Sequence, residues 1–349
     1  WYQHGHDEDP AYRSVILHVV ELDNRAVQHP AGGEMPTCLL MVPEVLPESP
    51  RLGYAGEAML PCAEGLRLVL EDLRRTWLSC LYRARLGRKA EEVDRLRARS
   101  SGDWGQALYA LLLRHLGFGL NNEALERLAF RLPLHLLLKH RDQPLQLEAL
   151  LAGTAGLLGF LPEGERRTRC EEEFAFLQHK YRLEPLPAGS FRRARTRSTN
   201  LPEFRLLQLA ALLTQVDLLG EALQQVSTLG ELHRLLHHPL DEAWHGGKWR
   251  GDGGLSPAAC AGLAINVLLP YRRAWRMAYQ EPKEEPSPRQ LIEMLPAEEN
   301  HITRLFTRAG LPLETALESQ ALLELHEGYC LRGRCQLCPF ASGRENAPS

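Results

Sequence analysis

Apolar residues recur at every third or fourth position along most of this chain, beginning near residue 62. The first stripe contains Leu66, Leu70, Leu73, Trp77, Leu78 and Leu81. This spacing puts the side chains on one face of a helix, and similar segments predict helix after helix to the end of the chain. The segments follow no fixed period, so we do not expect a solenoid of repeats.

The first sixty residues have a different pattern and carry the β signal of the chain. Residues 14–22 are rich in β-branched side chains, and residues 37–42 follow a glycine and proline turn. Two strands cannot form a stable sheet alone, so they must pair with each other and a helix, or with strands that precede this chain. We therefore predict an α+β protein that is predominantly α-helical. Its expected parts are a small β segment at 1–60, a helical domain at 61–325 and a cysteine-rich tail at 326–349.

Composition and charge narrow the classes of function. The 349 residues include 41 Lys and Arg against 44 Asp and Glu, a net charge of -3, which excludes nucleic-acid binding by overall charge but not by a local patch. No apolar run reaches the roughly eighteen residues that a spanning helix needs, so we predict no membrane contact. Because Trp1 rather than Met comes first and a strand follows closely, we expect the chain to begin inside a domain.

Three of the eight cysteines, Cys330, Cys335 and Cys338, lie close together near the C-terminus. The Cys-x₂-Cys pair brings two thiolates within reach of one ion, and Cys330 can supply a third. His326, one helical turn before Cys330, is the predicted fourth ligand of a zinc site. An iron–sulfur cluster is the alternative, although it normally requires a fourth cysteine. Three reduced thiols without metal are the plainer interpretation.

The other cysteines are scattered singly, and we interpret them as core residues. They are Cys38, Cys62, Cys80, Cys170 and Cys260. This distribution is not that of a disulfide framework, and it indicates a reducing, cytoplasmic location.

A run of arginines without an acidic residue leads into a helix predicted to begin near Pro202, capped by Thr199 or Asn200. We call residues 192–200 the arginine loop. Arginines beside helix N-terminal amides form a ready site for an anion such as phosphate. The alternative is a solvated loop. The predicted anion-binding or nucleic-acid-binding residues are Arg192, Arg193, Arg195, Arg197, Asn200 and Arg205.

Two further regions are basic. Residues 74–99 carry many arginines, which we interpret as the solvated face of a long helix. Residues 244–254 combine Trp244, Lys248, Trp249 and Arg250 with five glycines. Such a loop suits stacking on single-stranded bases, and it equally suits a loop held to the protein by its tryptophans.

The N-terminal segment contains His4, His6 and Asp9, followed by His18 within the first predicted strand. Two imidazoles near carboxylates can hold a divalent ion, or act as acid and base beside a phosphate. These four residues are weak candidates for catalysis. The alternative is a solvated loop together with a hydrogen-bonded strand histidine.

Several of these motifs together resemble the bacterial domain-of-unknown-function family 2851. The matching strings include His4-x-His6-x-x-Asp9, Glu148-Ala-Leu-Leu-Ala-Gly-Thr154, Arg197-x-x-Asn200-x-Pro202-x-x-Arg205, and Tyr329-Cys330 with Cys335 and Cys338. The resemblance implies that residues 1–45 are the back half of a restriction-endonuclease-like PD-(D/E)xK core. Such a core holds Mg²⁺ with an Asp and a Glu. Those carboxylate patterns are absent from this chain, so Mg²⁺ is expected only in a longer protein.

Three hypotheses follow. The first is a nucleic-acid-associated protein with a nuclease-like N-terminal part and a cysteine-held metal. The second is a non-enzymatic helical scaffold that binds a protein partner or a second copy of itself. The third is an iron–sulfur redox or sensor protein.

Overall fold

The computed structural model describes Tyr2, Asp7 and residues 15–20, 22–29, 32–39, 60, 62–194, 200–216, 218–244, 252–279 and 288–342. The chain divides into two compact units, Trp1–Gly56 and Glu57–Ser349. Each unit is described by itself below.

The first unit contains a small parallel sheet. Its strands are β1 (His18–Val20) and β2 (Thr37–Leu39), with His18 opposite Thr37. Sixteen residues or so join the strands, which is enough for the crossover that parallel pairing requires. The two predicted strands therefore form, and they pair with each other.

The second unit is built around one long helix, α2 (Glu71–Arg99). Three helices pack against it: α3 (Trp104–Leu116), α12 (Leu269–Tyr279) and α15 (Ala316–Leu325). The apolar row of α2 is buried from Leu78 through Val93 to Leu96. The mostly helical class predicted from the apolar spacing is confirmed.

The prediction of one continuous apolar helix face from Leu66 to Leu81 is wrong for its first part. Helix α1 (Ala63–Leu68) ends before α2 begins, because the backbone turns extended at Val69, with ψ of 126°. After this break Leu70 is 77% exposed and Leu73 is 48% exposed, so neither joins the core row.

The other helices are shorter and complete the unit. They are α4 (Asn122–Arg131), α5 (Leu134–Leu138), α6 (Pro144–Thr154), α7 (Glu165–Tyr181), α8 (Pro202–Gln215), α9 (Leu219–Gln225), α10 (Leu229–Leu236), α11 (Pro257–Leu263), α13 (Pro288–Met294), α14 (His301–Arg308) and α16 (Pro339–Ser342). α6 packs against α7 and α8, and α1 packs against α16.

Two helices widen into π-helical turns. One, Ala264–Leu268, joins α11 to α12 just before Pro270, whose missing N–H cannot continue the α-helical ladder. The other, His326–Cys330, follows α15 and leads into the cysteine segment. The second turn therefore sets where the first of the three clustered thiols lies.

Side-chain caps mark the start of two helices. Asp103 accepts a hydrogen bond from the Gln106 amide at the start of α3, and Ser256 accepts one from the Ala259 amide at the start of α11. α8 instead begins after Leu201 without a side-chain cap. Asn200 is not its cap, because the amide oxygen of Asn200 accepts a hydrogen bond from the Arg205 guanidinium.

Helix α8 is buried along most of its length. In the described residues no single helix combines the length and the apolar composition needed to cross a membrane. α8 and α9 meet both requirements only when taken together, and they are bent by 86° relative to each other.

Candidate functional site

The arginine loop begins on a backbone that is fixed to the turn between α3 and α4. The buried side chain of Asn121 donates to the Arg192 carbonyl oxygen at 3.0 Å and accepts from the Arg192 amide at 2.7 Å. These two hydrogen bonds resemble the pair that joins two residues in a β-sheet, and they hold the backbone of residue 192 in place. The Arg192 side chain is exposed and has no partner in the part of the chain that the structure describes.

The next arginine serves the interior instead. The Arg193 guanidinium donates to the Glu203 carboxylate at 2.6 Å and lies 4.3 Å from the centre of the Phe160 ring. Glu203 is fully buried in the first turn of α8, so its charge needs this partner. The prediction that Arg193 binds an external anion is therefore not supported by its contacts.

Arg205 is also an interior residue, with 4% of its surface exposed. Its guanidinium donates to the amide oxygens of Gln208, at 2.7 Å, and Asn200, and lies 4.5 Å from the Phe118 ring centre. Burial lowers the pKa of Arg205 to about 10. It makes no ion pair within the described residues, so neutral dipoles and a ring face solvate the cation.

The glycine-rich segment, residues 244–254, contacts the same helix through Gln208. Gln208 donates from Nε2 to the Gly253 carbonyl at 2.7 Å. His237 donates to the Leu255 carbonyl and to the Asp252 carboxylate at 2.7 and 2.8 Å. The hydrogen bond to Leu255, and then that to Asp252, raises the pKa of His237. Two irregular regions of the sequence thus meet at the first half of α8.

Trp244, the first residue of the glycine-rich segment, packs inside the protein and does not lie free for stacking on bases. The indole is buried and donates to the Glu148 carboxylate at 3.1 Å. Arg166 also binds Glu148, through Nε at 2.9 Å. Trp244 therefore holds the segment to the protein. Residues 245–251, with Lys248, Trp249 and Arg250, lie outside the described residues.

Two partly exposed aromatic rings lie beside the arginine loop. Phe118 is 38% exposed in the same turn as Asn121, and Phe160 is 41% exposed. Each ring has an arginine guanidinium over its face. Exposed rings next to planar cations can stack on nucleic-acid bases, while a free arginine contacts phosphate. Neither ring could be predicted to lie here from the sequence, because only the fold brings them to the loop.

The basic residues of α2 are not simply a solvated face, which corrects that interpretation. Glu126 on α4 accepts hydrogen bonds from Arg95, Arg99 and Arg114 at 2.9 to 3.1 Å. Arg88 likewise binds Glu324 on α15. Carboxylates on neighbouring helices thus pair with these arginines and make them less available to an external anion.

The C-terminal cysteines lie at different depths: Cys330 is half-buried, Cys335 is exposed and Cys338 is buried. Burial first, then the thiols of Cys62, Cys338 and Cys335, raise the pKa of Cys330 to about 12. No three His, Cys, Asp or Glu side chains among the described residues are gathered closely enough to hold one ion. His326 is buried, and burial followed by the nearby His301 lowers its pKa.

The scattered cysteines differ from one another. Cys170 and Cys260 are buried, as expected for core residues, but Cys38 is exposed. Cys62 and Cys80 have intermediate exposure. The core interpretation is therefore correct for two of the five.

Of the weak catalytic candidates, His18 lies on β1 opposite Thr37. His4, His6 and Asp9 fall outside the described residues, as do Arg195 and Arg197 of the arginine loop.

An apolar cavity of about 290 Å³ opens elsewhere in the second unit. It lies between α3, α8, α9 and α12, and its walls include Trp104, Leu213, Val216, Tyr271 and Trp275. The ring centres of Trp104 and Trp275 are 4.8 Å apart. A cavity with such walls can accept an apolar side chain or a small apolar molecule.

Comparisons with known proteins give a family without an activity. The family model described as "Protein of unknown function (DUF2851)" matches residues 1–301, and the clustered cysteines at 330–338 lie beyond that match. No curated protein and no solved structure matches the chain. Because the matched residues make up most of its length, this chain belongs to the DUF2851 family.

Proposed function

We propose that this chain is a nucleic-acid-associated protein that binds single-stranded DNA or RNA through the arginine loop and the rings beside it. The observation that carries the proposal is the exposed Arg192, which has no partner among the described residues and stands on a backbone fixed by Asn121, in a region that also contains the rings of Phe118 and Phe160. A fixed backbone lowers the entropic cost of presenting a cation to phosphate.

The binding is expected to be local and sensitive to salt. The net charge of -3 gives no general attraction for a polyanion, so we expect affinity to depend on the arginines of the loop. Base stacking on rings and guanidinium planes discriminates little between sequences. We therefore expect broad recognition of single strands.

Fluorescence anisotropy with a labelled oligonucleotide at low salt tests this proposal. Replacing Arg192, Arg195 and Arg197 by Ser should weaken binding at least tenfold, since each charge-assisted contact with phosphate is lost. Phe118→Ala should weaken it several-fold through lost stacking. Arg75→Ser, which removes an exposed arginine from α2, is the matched control and should bind like the wild type.

The proposal fails if the wild type does not bind any single strand at low salt. It also fails if the triple variant binds as tightly as Arg75→Ser. Far-UV circular dichroism of each variant separates lost binding from lost folding.

For the first unit we propose a nuclease-like α/β arrangement without catalysis by this chain. The parallel pairing of β1 and β2 supports it. The Mg²⁺ carboxylates implied by the resemblance have no counterpart in this sequence, so we expect no Mg²⁺-dependent cleavage by it. Cleavage that disappears in His18→Ala would contradict this.

We also propose that Cys330, Cys335 and Cys338 bind a structural metal. Zinc is preferred over an iron–sulfur cluster, and sequence spacing suggests His326 as the fourth ligand. All eight cysteines are free thiols, which supports a reducing, cytoplasmic location. Metal analysis of Cys338→Ser against the wild type tests the metal.

A second function, association with a protein partner or a second copy of the chain, is favoured by the apolar cavity. We expect a protruding apolar side chain to occupy it. Val216→Trp would fill the cavity from its half-buried wall. If copies associate through this site, light scattering should report a smaller particle for this variant; an unchanged mass would contradict self-association here.

A further inference from the structure

We infer that Cys62 is the fourth ligand of a four-thiolate metal site completed by Cys330, Cys335 and Cys338, in the place that spacing gives to His326. This inference rests on the proposed metal function of the C-terminal cysteines. Four thiolates bind a zinc ion or a four-iron cluster, the two centres expected for a tetrahedral all-sulfur site.

The packing of α1 against α16 brings the two segments together. Cys62 occupies the N-cap of α1, and Gly65 lies on the same side of the helix three residues later. A Cβ placed at Gly65 would lie 2.8 Å from the carbonyl oxygen of Phe340. Phe340 is two residues after Cys338, so this contact fixes the start of α1 against the cysteine segment.

The thiols occupy one neighbourhood. The π-helical turn that ends at Cys330 packs against the turn Cys335–Leu337, and the charges of Cys62, Cys338 and Cys335 all act on the Cys330 thiol. The Cys338 amide donates to the Cys335 carbonyl at 3.0 Å and closes the Cys-x₂-Cys turn. The amides of Phe340 and Ala341 donate to the Cys338 sulfur, as amides do around metal-bound thiolates.

His326 belongs to a different neighbourhood. The titratable groups that act on its ring are His301, at the start of α14, and Glu327. Glu327 is in turn bound by Arg85 at 3.0 Å, between α2 and the π-helical turn. The elements around His326 therefore differ from the α1 and α16 contact that surrounds the cysteines.

Metal binding must draw the thiols closer, since no three of them now meet at one point. A zinc ion requires each sulfur at about 2.3 Å. A four-iron cluster joins thiolates that are farther apart, and Cys62 supplies the fourth cysteine that this alternative lacked. The experiment must therefore measure both metals.

The test is the metal content of the full chain purified without oxygen and reconstituted with Zn²⁺, or with Fe²⁺ and sulfide. The wild type should carry about one zinc or about four irons per chain, the latter with visible absorbance. Cys62→Ser should lose the metal as completely as Cys338→Ser. His326→Gln and Cys80→Ser should keep it, and Cys80 is the matched control because its exposure is also intermediate.

Metal kept by Cys62→Ser but lost by Cys338→Ser would overturn the fourth-ligand inference and leave the proposed metal function intact. Loss of the metal in His326→Gln together with its retention in Cys62→Ser would also overturn the fourth-ligand inference. A metal-free wild type after both reconstitutions would overturn both. If Cys62→Ser does not fold, Cys62→His replaces it: retained zinc with fewer sulfur-to-metal transitions in the Co²⁺-loaded protein supports the ligand, and an unchanged Co²⁺ spectrum opposes it.

Discussion

Helix α2 and the arginine loop are both rich in arginine, and their guanidinium groups meet different partners. On α2, Arg95 and Arg99 share the Glu126 carboxylate, and Arg88 binds Glu324. In the loop, Arg192 is exposed with no partner in the described part of the chain. Free charge for a ligand therefore depends on where the fold places carboxylates, which a count of arginines does not reveal.

The two regions also differ in how many arginines form ion pairs with each buried carboxylate. Glu126 has three, from α2 and α3. Glu203 is fully buried and is paired with Arg193 alone among the described arginines. The loss of one arginine should therefore have very different costs at the two sites.

The largest expected effect is that of Arg193→Ala. It leaves the buried Glu203 carboxylate without its cation, which should lower the free energy of unfolding by about 3 kcal/mol. Urea denaturation at pH 7 measures this. Arg193→Ala combined with Glu203→Gln should recover most of the loss, while Arg192→Ala should stay within about 0.5 kcal/mol of the wild type. Equal stability of the two single arginine variants would refute the division of roles within the loop.

A somewhat smaller loss of stability is expected when low pH protonates Glu92 of α2. Burial alone would raise the pKa of Glu92, but the nearby His115 ring, with Arg114 and Arg95, holds it down to about 2. The folded protein therefore binds this proton less readily than the unfolded chain. The resulting stabilisation, about 2 kcal/mol, should be complete above about pH 5 and should fall as the pH drops towards 2.

Denaturant titrations of the wild type and Glu92→Gln between pH 7 and pH 3 measure this effect. The stability difference between the two proteins should shrink on acidification. A difference that stays constant with pH would show that Glu92 contributes no charge-dependent stability to the α2 network.

The smallest effect should be that of Arg95→Ala on stability. Glu126 keeps Arg99 and Arg114, and the side chain of Arg95 is itself half-exposed, so the cost should be below about 1 kcal/mol. Thermal or urea unfolding measures it. A loss as large as that of Arg193→Ala would mean that the three arginines of Glu126 do not substitute for one another.

Much of this fold could be predicted from local patterns. Apolar spacing predicted the helical unit, and β-branched residues predicted both strands. The prediction that Leu70 and Leu73 belong to the buried helix face was wrong, because the same apolar periodicity continues across the break at Val69. Periodicity records which face is apolar, and it does not record where the backbone leaves the helix.

The site was less predictable, since its contacts join distant parts of the chain. Asn121 lies at the start of α4, yet its side chain binds the backbone of Arg192, 71 residues later, instead of capping that helix. Arg193 looked free until Glu203 was brought to it by the fold. Cys62 looked like a core cysteine, and only the packing of α1 on α16 places it beside Cys330.

The salt dependence of single-strand binding tests the central claim most directly. Each cation that neutralises a phosphate contributes about 0.7 to the slope of log K against log salt concentration. Arg192→Ser should therefore reduce that slope by about 0.7, while Arg95→Ser, whose arginine is already paired with Glu126, should leave it unchanged. Equal slopes for the two variants, or a smaller slope for Arg95→Ser, would contradict the assignment of the free charge to the arginine loop.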